Sequence, residues 1–188
     1  DYIKENPSVD KNSDGKIQYV ILEGELGHQD AIIRTESVAE SMKENGVELE
    51  KLSYQTANWN RAQAQNRMTQ LIGQYKNSIE LVIANNDAMA LGAMDAYEKL
   101  GITDSNYPVF FGIDGTDEGL EAVRQSKLAA TVYNDKEGQA YTMAQLAYAV
   151  VTGYGMNNIG FENKKYIYLP YKKVTAGNVT DFIDNIQD

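Results

Sequence analysis

The 188-residue sequence has no cysteine, one histidine, one tryptophan and three prolines. Without cysteine there are no disulfides, no thiolate metal sites and no cysteine nucleophile, although this alone names no compartment. The formal net charge is −10 and no run of Lys or Arg interrupts it. Nucleic acid and anionic lipid are recognised by clustered basic residues, so neither is expected as a partner. No stretch approaches the roughly 18 to 20 uninterrupted apolar residues of a membrane-spanning helix. No Pro/Gly/Ser linker, internal repeat or low-complexity tract divides the chain. Phosphate loops of the GxGxxG or Walker type, an HExxH pair and a nucleophile elbow are also missing, which removes the enzymes built on them. The chain opens on Asp1-Tyr2-Ile3 with neither an initiator Met nor a signal peptide, so it is expected to begin inside a longer gene product.

What is present is an alternation of two hydrophobic periods. β-rich runs fall at 17–22, 47–54, 79–84, 108–113, 128–133 and 164–171. Windows of helical period lie near 29–45, 60–75, 87–99, 117–126, 137–152 and 176–187. Several of the strands are apolar without a break, as strands covered on both faces are. The β-α-β-α order predicts right-handed crossovers and hence an α/β fold with a doubly wound parallel sheet, strand order 2-1-3-4-5.

The stretch DKNSDGKIQ at 10–18 reads as the first half of an EF-hand loop, with Asp10, Asn12 and Asp14 alternating before Gly15. The twelfth position, where such a loop needs a bidentate Glu, is Ile21. The predicted sheet supplies the missing carboxylate: with the first and third strands adjacent, Glu80 lies beside Gln18. Asp10, Asn12, Asp14, the Lys16 carbonyl, Gln18 and a bidentate Glu80 would offer about seven oxygens, a number calcium favours. The alternative is an Asx-rich turn with Glu80 exposed at the edge of its strand.

In open α/β sheets ligands bind at the carboxyl ends of the strands. Those ends carry, in order, His28, Asp30 and Arg34; the sole Trp, Trp59; Asn85-Asn86-Asp87; Asp114; and Asn134-Asp135. Singly, each has a plainer reading. Asp30 and Arg34 fit an i,i+4 ion pair, Asn86 or Asp87 a helix cap, and Trp59 a core residue. Together they converge on one crevice. Planar Asp, Asn, Arg and His groups bond adjacent hydroxyls in pairs, and an indole stacks on an apolar C–H face, which is the chemistry of a sugar site. A glycosidase would need two carboxylates at a defined separation, and Asp30 and Asp114 keep a sugar-active hydrolase open as a reading.

The combination of DKNSDGKIQ, GELGHQDAIIRT, TANWNRAQA, IELVIANNDAMALGA, FFGIDG and TVYND resembles the galactose/glucose-binding members of the type I periplasmic binding protein family, from about Asp10 to Tyr171. That resemblance implies two α/β lobes closing on a hexose, D-glucose or D-galactose, without catalysis. It implies sugar contacts from His28, Asp30, Arg34, Trp59, Asn86, Asp114 and Asn134, and calcium ligands at Asp10, Asn12, Asp14, Lys16, Gln18 and Glu80. It further implies an exported protein, periplasmic or a cell-surface lipoprotein, that delivers sugar to ABC permease components and in some members to a chemoreceptor. Leu26 stands where the family pattern often has Pro. The resemblance leaves the family's first lobe outside these 188 residues, so residues 1–135 and 172–188 are expected to form the C-terminal sugar-binding lobe. Residues 136–171 would belong to the absent N-terminal lobe, leaving the Ala140, Met143, Ala144, Ala147, Val150 and Val151 stripe uncovered. The effector-binding domain of a sugar-responsive transcription repressor, which shares the fold, is the alternative from another class; it would need an upstream helix-turn-helix and no calcium loop.

Overall fold

The computed structural model describes residues 1–102, 107–155, 159–163 and 165–183. A short helix, α1 (Tyr2–Glu5), precedes β1 (Ile17–Glu23), α2 (Gln29–Glu44), β2 (Leu49–Thr56), α3 (Arg61–Tyr75), β3 (Leu81–Ala84) and α4 (Asp87–Lys99). Next come β4 (Val109–Phe111), α5 (Asp117–Arg124), β5 (Ala130–Tyr133), α6 (Lys136–Thr152), β6 (Lys172–Thr175) and α7 (Thr180–Ile183). The sheet order is β2-β1-β3-β4-β5-β6. The first five strands pair in parallel in the expected 2-1-3-4-5 order, and β6 adds an antiparallel edge.

The unbroken apolar runs are explained by helices on both faces. Val20 and Leu22 of β1 and Val82 and Ala84 of β3 point into the larger core, against Met68 and Leu71 of α3 and Met89, Ala93 and Tyr97 of α4. Ile17, Tyr19, Ile21, Leu81 and Ile83 point the other way, toward Val38 and Met42 of α2. Each such side chain removed from water contributes roughly 1.5–3 kcal/mol, so the alternation fixes the register of both central strands. Helices α3 and α4 pack closely because residue 92 is glycine: a Cβ there would lie 2.1 Å from the Arg61 carbonyl oxygen.

The run at 164–171 is not a strand among the described residues. The sixth strand lies just beyond it, at Lys172–Thr175, and runs antiparallel. The aromatic β-prone run KKYIYLPY misleads because β propensity reflects packing on a half-buried surface. Here Tyr166, Tyr168 and Tyr171 are exposed, whereas Val174 of β6 is fully buried. Helix α6 shows the same lack of cover: Ala149 is its one buried residue, while Met143 is 65% and Val151 85% exposed. Ala140, Ala144, Ala147 and Val150 are exposed with them.

One buried polar atom in this core has no hydrogen-bond partner among the described residues, the Tyr97 hydroxyl. Its ring meets Tyr107 and Phe110 edge-on, with centroids 5.4 and 5.8 Å away. A buried unsatisfied hydroxyl costs about 1–3 kcal/mol. Tyr97→Phe keeps the ring contacts and removes the hydroxyl, so its urea midpoint is expected to match or exceed the wild type; a clear fall would reveal a partner for that oxygen.

Candidate functional site

Two sets of polar side chains sit at opposite edges of the sheet. At the amino edge, Glu80 is 1% exposed and reaches the 10–18 loop as its strand order requires. Its backbone amide donates to the Gln18 carbonyl at 2.9 Å. One carboxylate oxygen accepts from the amides of Lys11 at 2.6 Å and Asn12 at 3.3 Å, the other from Gln18 at 3.0 Å. Those amides compensate its burial directly. Asp10 accepts from the amides of Asp14 and Gly15, and Asp14 from that of Lys16, in a left-handed turn at Ser13 and Gly15. Side chains of Asn12 and Gln18 bond Asp14, and Gln18 also reaches Glu50 across the β1–β2 pairing. Among the described residues no group of three or more His, Cys, Asp and Glu is close enough to hold a metal. The set at this edge instead mixes carboxylates with amides, all oxygen donors, which suits a hard cation such as calcium over zinc. One Glu80 oxygen and one Asp14 oxygen already accept two donors each, whereas the other Glu80 oxygen, the other Asp14 oxygen and both Asp10 oxygens accept one and keep a lone pair that such an ion could use.

At the carboxyl edge the chain builds an aromatic and charged platform. Asn58 and Trp59 both adopt left-handed backbone after β2, which swings the indole over the end of β1. Gly24 admits it there: a Cβ at that position would lie 2.1 Å from the ring. His28 meets the indole edge-on at 5.2 Å, and the Arg34 guanidinium lies 5.7 Å from the ring centroid. His28 caps α2 by accepting from the Asp30 amide at Nδ1, so its proton sits on Nε2, available to a ligand. Asp30, in the first turn of α2, is exposed.

Arg34 donates to the Asn85 carbonyl at 2.7 Å and to Asp114 at 3.1 Å. Burial pushes the Asp114 carboxyl up, Arg34 pulls it down and the nearby Asp30 charge opposes ionisation. Asn86 is both cap and lining: its side-chain oxygen accepts from the Met89 amide at 2.9 Å and its amide donates to the Trp59 carbonyl at 3.3 Å. Asn134 joins the Asp114 loop through its backbone amide, 2.9 Å from the Asp114 carbonyl. The structure therefore brings all seven expected residues to one edge. Arg34 pairs with Asp114, and Asp30, its partner in the plainer i,i+4 reading, is left facing solvent.

Asp87 and Asn85 escape prediction as supports of this edge. Asn85, 1% exposed, ties the Gly24 amide to Thr35 through its side chain. Asp87 is fully buried. Its carboxylate accepts from the Thr131 hydroxyl at 2.6 Å and the Thr116 amide at 2.8 Å, while its backbone amide donates to the Ile113 carbonyl at 2.7 Å. Burial pushes this carboxyl up to about 6, against the hydrogen bonds that favour the ion. The one signal in sequence was a carboxylate opening an otherwise apolar helix, which a cap explains equally well.

An α/β fold with a polar, aromatic platform at the carboxyl ends of its parallel strands has the layout of a small-ligand binding class. Residues 8–155 match the model of the periplasmic binding protein domain family, and the chain belongs to that family. It is 37% identical to a D-galactose/methyl-galactoside binding periplasmic protein of Haemophilus influenzae, across 96% of this chain and 54% of that protein. A putative rhizopine-binding protein of Rhizobium meliloti is 33% identical over 90% of this chain and 52% of its own length. A solved ABC transporter solute-binding protein of Bacillus halodurans with bound myo-inositol superposes with a TM-score of 0.77 at 33% identity, covering 95% of this chain and 58% of that one. The chain thus spans about half the length of the curated relatives it matches, and these relatives are named for what they bind.

Because the folded-state pKa of Asp87 lies near 6, above its ordinary value of 3.8, its contribution has a definite sign. Folding binds the proton more tightly, so this stabilisation is complete below about pH 4 and is lost as pH rises through about 6, a change of about 3 kcal/mol for a two-unit shift. Urea melts between those limits should show the wild type losing stability relative to Asp87→Asn as pH rises. Parallel stability profiles would contradict the assigned environment.

Proposed function

We propose that this chain is the sugar-binding lobe of a two-lobed, exported receptor that takes a hexose, D-glucose or D-galactose, for ABC-type import and binds it without turnover. The observation that carries this reading is the Trp59 indole held between His28 and Arg34 beside Asp114. That arrangement offers an apolar stacking face flanked by hydroxyl-bonding groups. Asp30, Asn86 and Asn134 complete the polar rim. The named ligands of relatives, a galactoside in one and myo-inositol in another, are ring polyols of this kind.

Residues 1–135 and 172–188 are read as this lobe and 136–171 as a segment of the other. The exposed apolar face of α6 supports that division, because soluble chains seldom leave such a stripe uncovered. Delivery to permease components, a chemoreceptor contact and a lipoprotein anchor are carried over from the family resemblance and belong to the whole protein. Asp10, Asn12, Asp14, the Lys16 carbonyl, Gln18 and Glu80 are assigned to a structural calcium ion, which would neutralise the loop carboxylates and pin β1 against β3 far from the sugar.

Titration calorimetry of the whole protein with D-galactose, D-glucose and myo-inositol tests the crevice. Asp30→Ala and Asp114→Ala each leave hydroxyls or a buried partner unpaired, at about 1–3 kcal/mol apiece, and Trp59→Ala removes the stacking face. Wild-type affinity in the double Asp30→Ala, Asp114→Ala variant would move the site elsewhere.

For calcium, a ligand confined to the folded state adds about 2.7 kcal/mol at a hundredfold excess over Kd. Thermal melts of metal-loaded protein should therefore shift down on adding EDTA, and Glu80→Gln should erase most of the difference. An EDTA-insensitive melt of protein shown to be loaded would refute the assignment.

A further inference from the structure

Asp114, which the reading above places against the ligand, stands on a loop whose backbone is strained and held by partners elsewhere in the chain. Its φ is 121°, a left-handed value unfavourable for a side chain bearing a Cβ. Its backbone is tied to the β5 side of the sheet: the Asp114 amide reaches the Val132 carbonyl and the Asn134 amide returns to Asp114.

Arg34 pairs with the Asp114 side chain and Thr116 caps α5, but the ties that join both ends of residues 113–116 to one group come from Asp87. Its amide holds the Ile113 carbonyl, its carboxylate takes the Thr116 amide and hydroxyl, and it fixes the Thr131 hydroxyl that in turn receives the Gly115 amide at 3.3 Å. Two glycines make room for it. A Cβ on Gly112 or Gly119 would each lie 2.3 Å from a carboxylate oxygen. An ionised carboxylate accepts at both oxygens, and protonation turns one of those acceptors into a donor.

We propose that Asp87 is a positioning residue for ligand binding: its acceptor-only carboxylate holds the 113–116 loop in the conformation that presents Asp114 to Arg34 and to the crevice. The proposal rests on the sugar reading of that crevice. It makes affinity respond to the protonation of a group with no exposed surface.

The charged groups around Asp87 are few. The loop after β4 brings Asp114, whose charge opposes ionisation of Asp87. The α5 residues beside Gly119 are Asp117 and Glu118, ion-paired outward with Lys136 and Arg61. From β5 come the uncharged Thr131 and Tyr133, the latter bonded to Glu137. On α2, Arg34 acts through Asp114, and His28 and Asp30 stand further out on the crevice. Helix α4 itself begins at Asp87, and its positive end favours the anion.

The test uses the whole protein with D-galactose and myo-inositol as probes, titrated between about pH 8 and about pH 5 to span the carboxyl's range. Asp87→Asn, which imitates the neutral acid, should weaken binding about tenfold near pH 8, equivalent to one pKa unit of coupling. The wild type should converge on Asp87→Asn as pH falls, because the two then carry the same uncharged group. A purely structural role would lower the melting temperature without producing this convergence. Thr131→Val, which removes the hydroxyl at constant shape, should weaken binding similarly, and Thr131→Ser should restore it. That pair decides the matter if Asp87→Asn does not fold.

If Asp114→Ala abolishes binding while Asp87→Asn and Thr131→Val bind like the wild type at both ends of the range, positioning by Asp87 is wrong and the crevice stands. If Asp114→Ala binds normally, or neither probe binds, the crevice reading falls and takes this proposal with it.

Discussion

A carboxylate with no solvent contact must be surrounded by donors or lose its charge, and at Asp87 the chain supplies those donors from two directions while the backbone amide of the same residue makes a third tie. Thr131 comes from β5, Thr116 from the start of α5, and the Ile113 carbonyl from the end of β4 meets the Asp87 amide. Satisfying one side chain thus gathers the carboxyl ends of β3, β4 and β5, which a parallel sheet alone does not do. Between β4 and β5 themselves one pair is in register, Phe111 with Ala130, and the pairing is carried past β4 by the Asp114–Tyr133 bridge. Gly112 and Gly119 belong to the same device, since any side chain at either would collide with the carboxylate. The platform of Trp59, Arg34 and Asp114 is assembled on top of this clamp.

Much of this was legible in the residues. The two hydrophobic periods placed β1, α4 and the 2-1-3-4-5 order, because a strand covered on both faces has no polar alternation to blur it. The approach of Glu80 to the 10–18 loop followed from that order and nothing else. The seven crevice residues could be gathered because every parallel strand delivers its carboxyl end to one edge. The last strand was misplaced by an aromatic β-prone run whose Tyr166, Tyr168 and Tyr171 stay exposed, and its antiparallel direction has no mark in a run as short as KKVT. Asp87 stayed hidden because partners at positions 113, 116 and 131 are joined to it only by tertiary structure. The Arg34 partner was hidden for a related reason: the plainer i,i+4 pairing with Asp30 is visible in sequence, whereas the one formed with Asp114 spans 80 residues.

The two polar sets are chemically unlike and serve separate ends. One is a loop of carboxylates and amides bound to backbone N–H groups, stiff and close to the chain. The other is open, with His28 and Asp30 exposed and Trp59 half-buried, as a surface that must receive a ligand from water has to be. That difference follows from where each lies: amino ends of parallel strands meet short turns, and carboxyl ends meet helix starts that carry caps and free donors.

Both sets hang on β3, a strand of only four residues, Leu81–Ala84, with Glu80 immediately before it and Asn85 immediately after. Because side chains alternate along a strand, a slip of one residue would exchange the two faces of the core. It would also withdraw the Glu80 carboxylate from the amides of Lys11, Asn12 and Gln18, and the Asn85 side chain from Gly24 and Thr35. A mispaired chain therefore forfeits polar partners at both termini of the strand at once, and leaves two polar groups buried with nothing to bond. Errors in assembling this short central strand are in this way penalised at both of its ends, so the polar ends act as a proofreading step for the pairing of β3 with its neighbours.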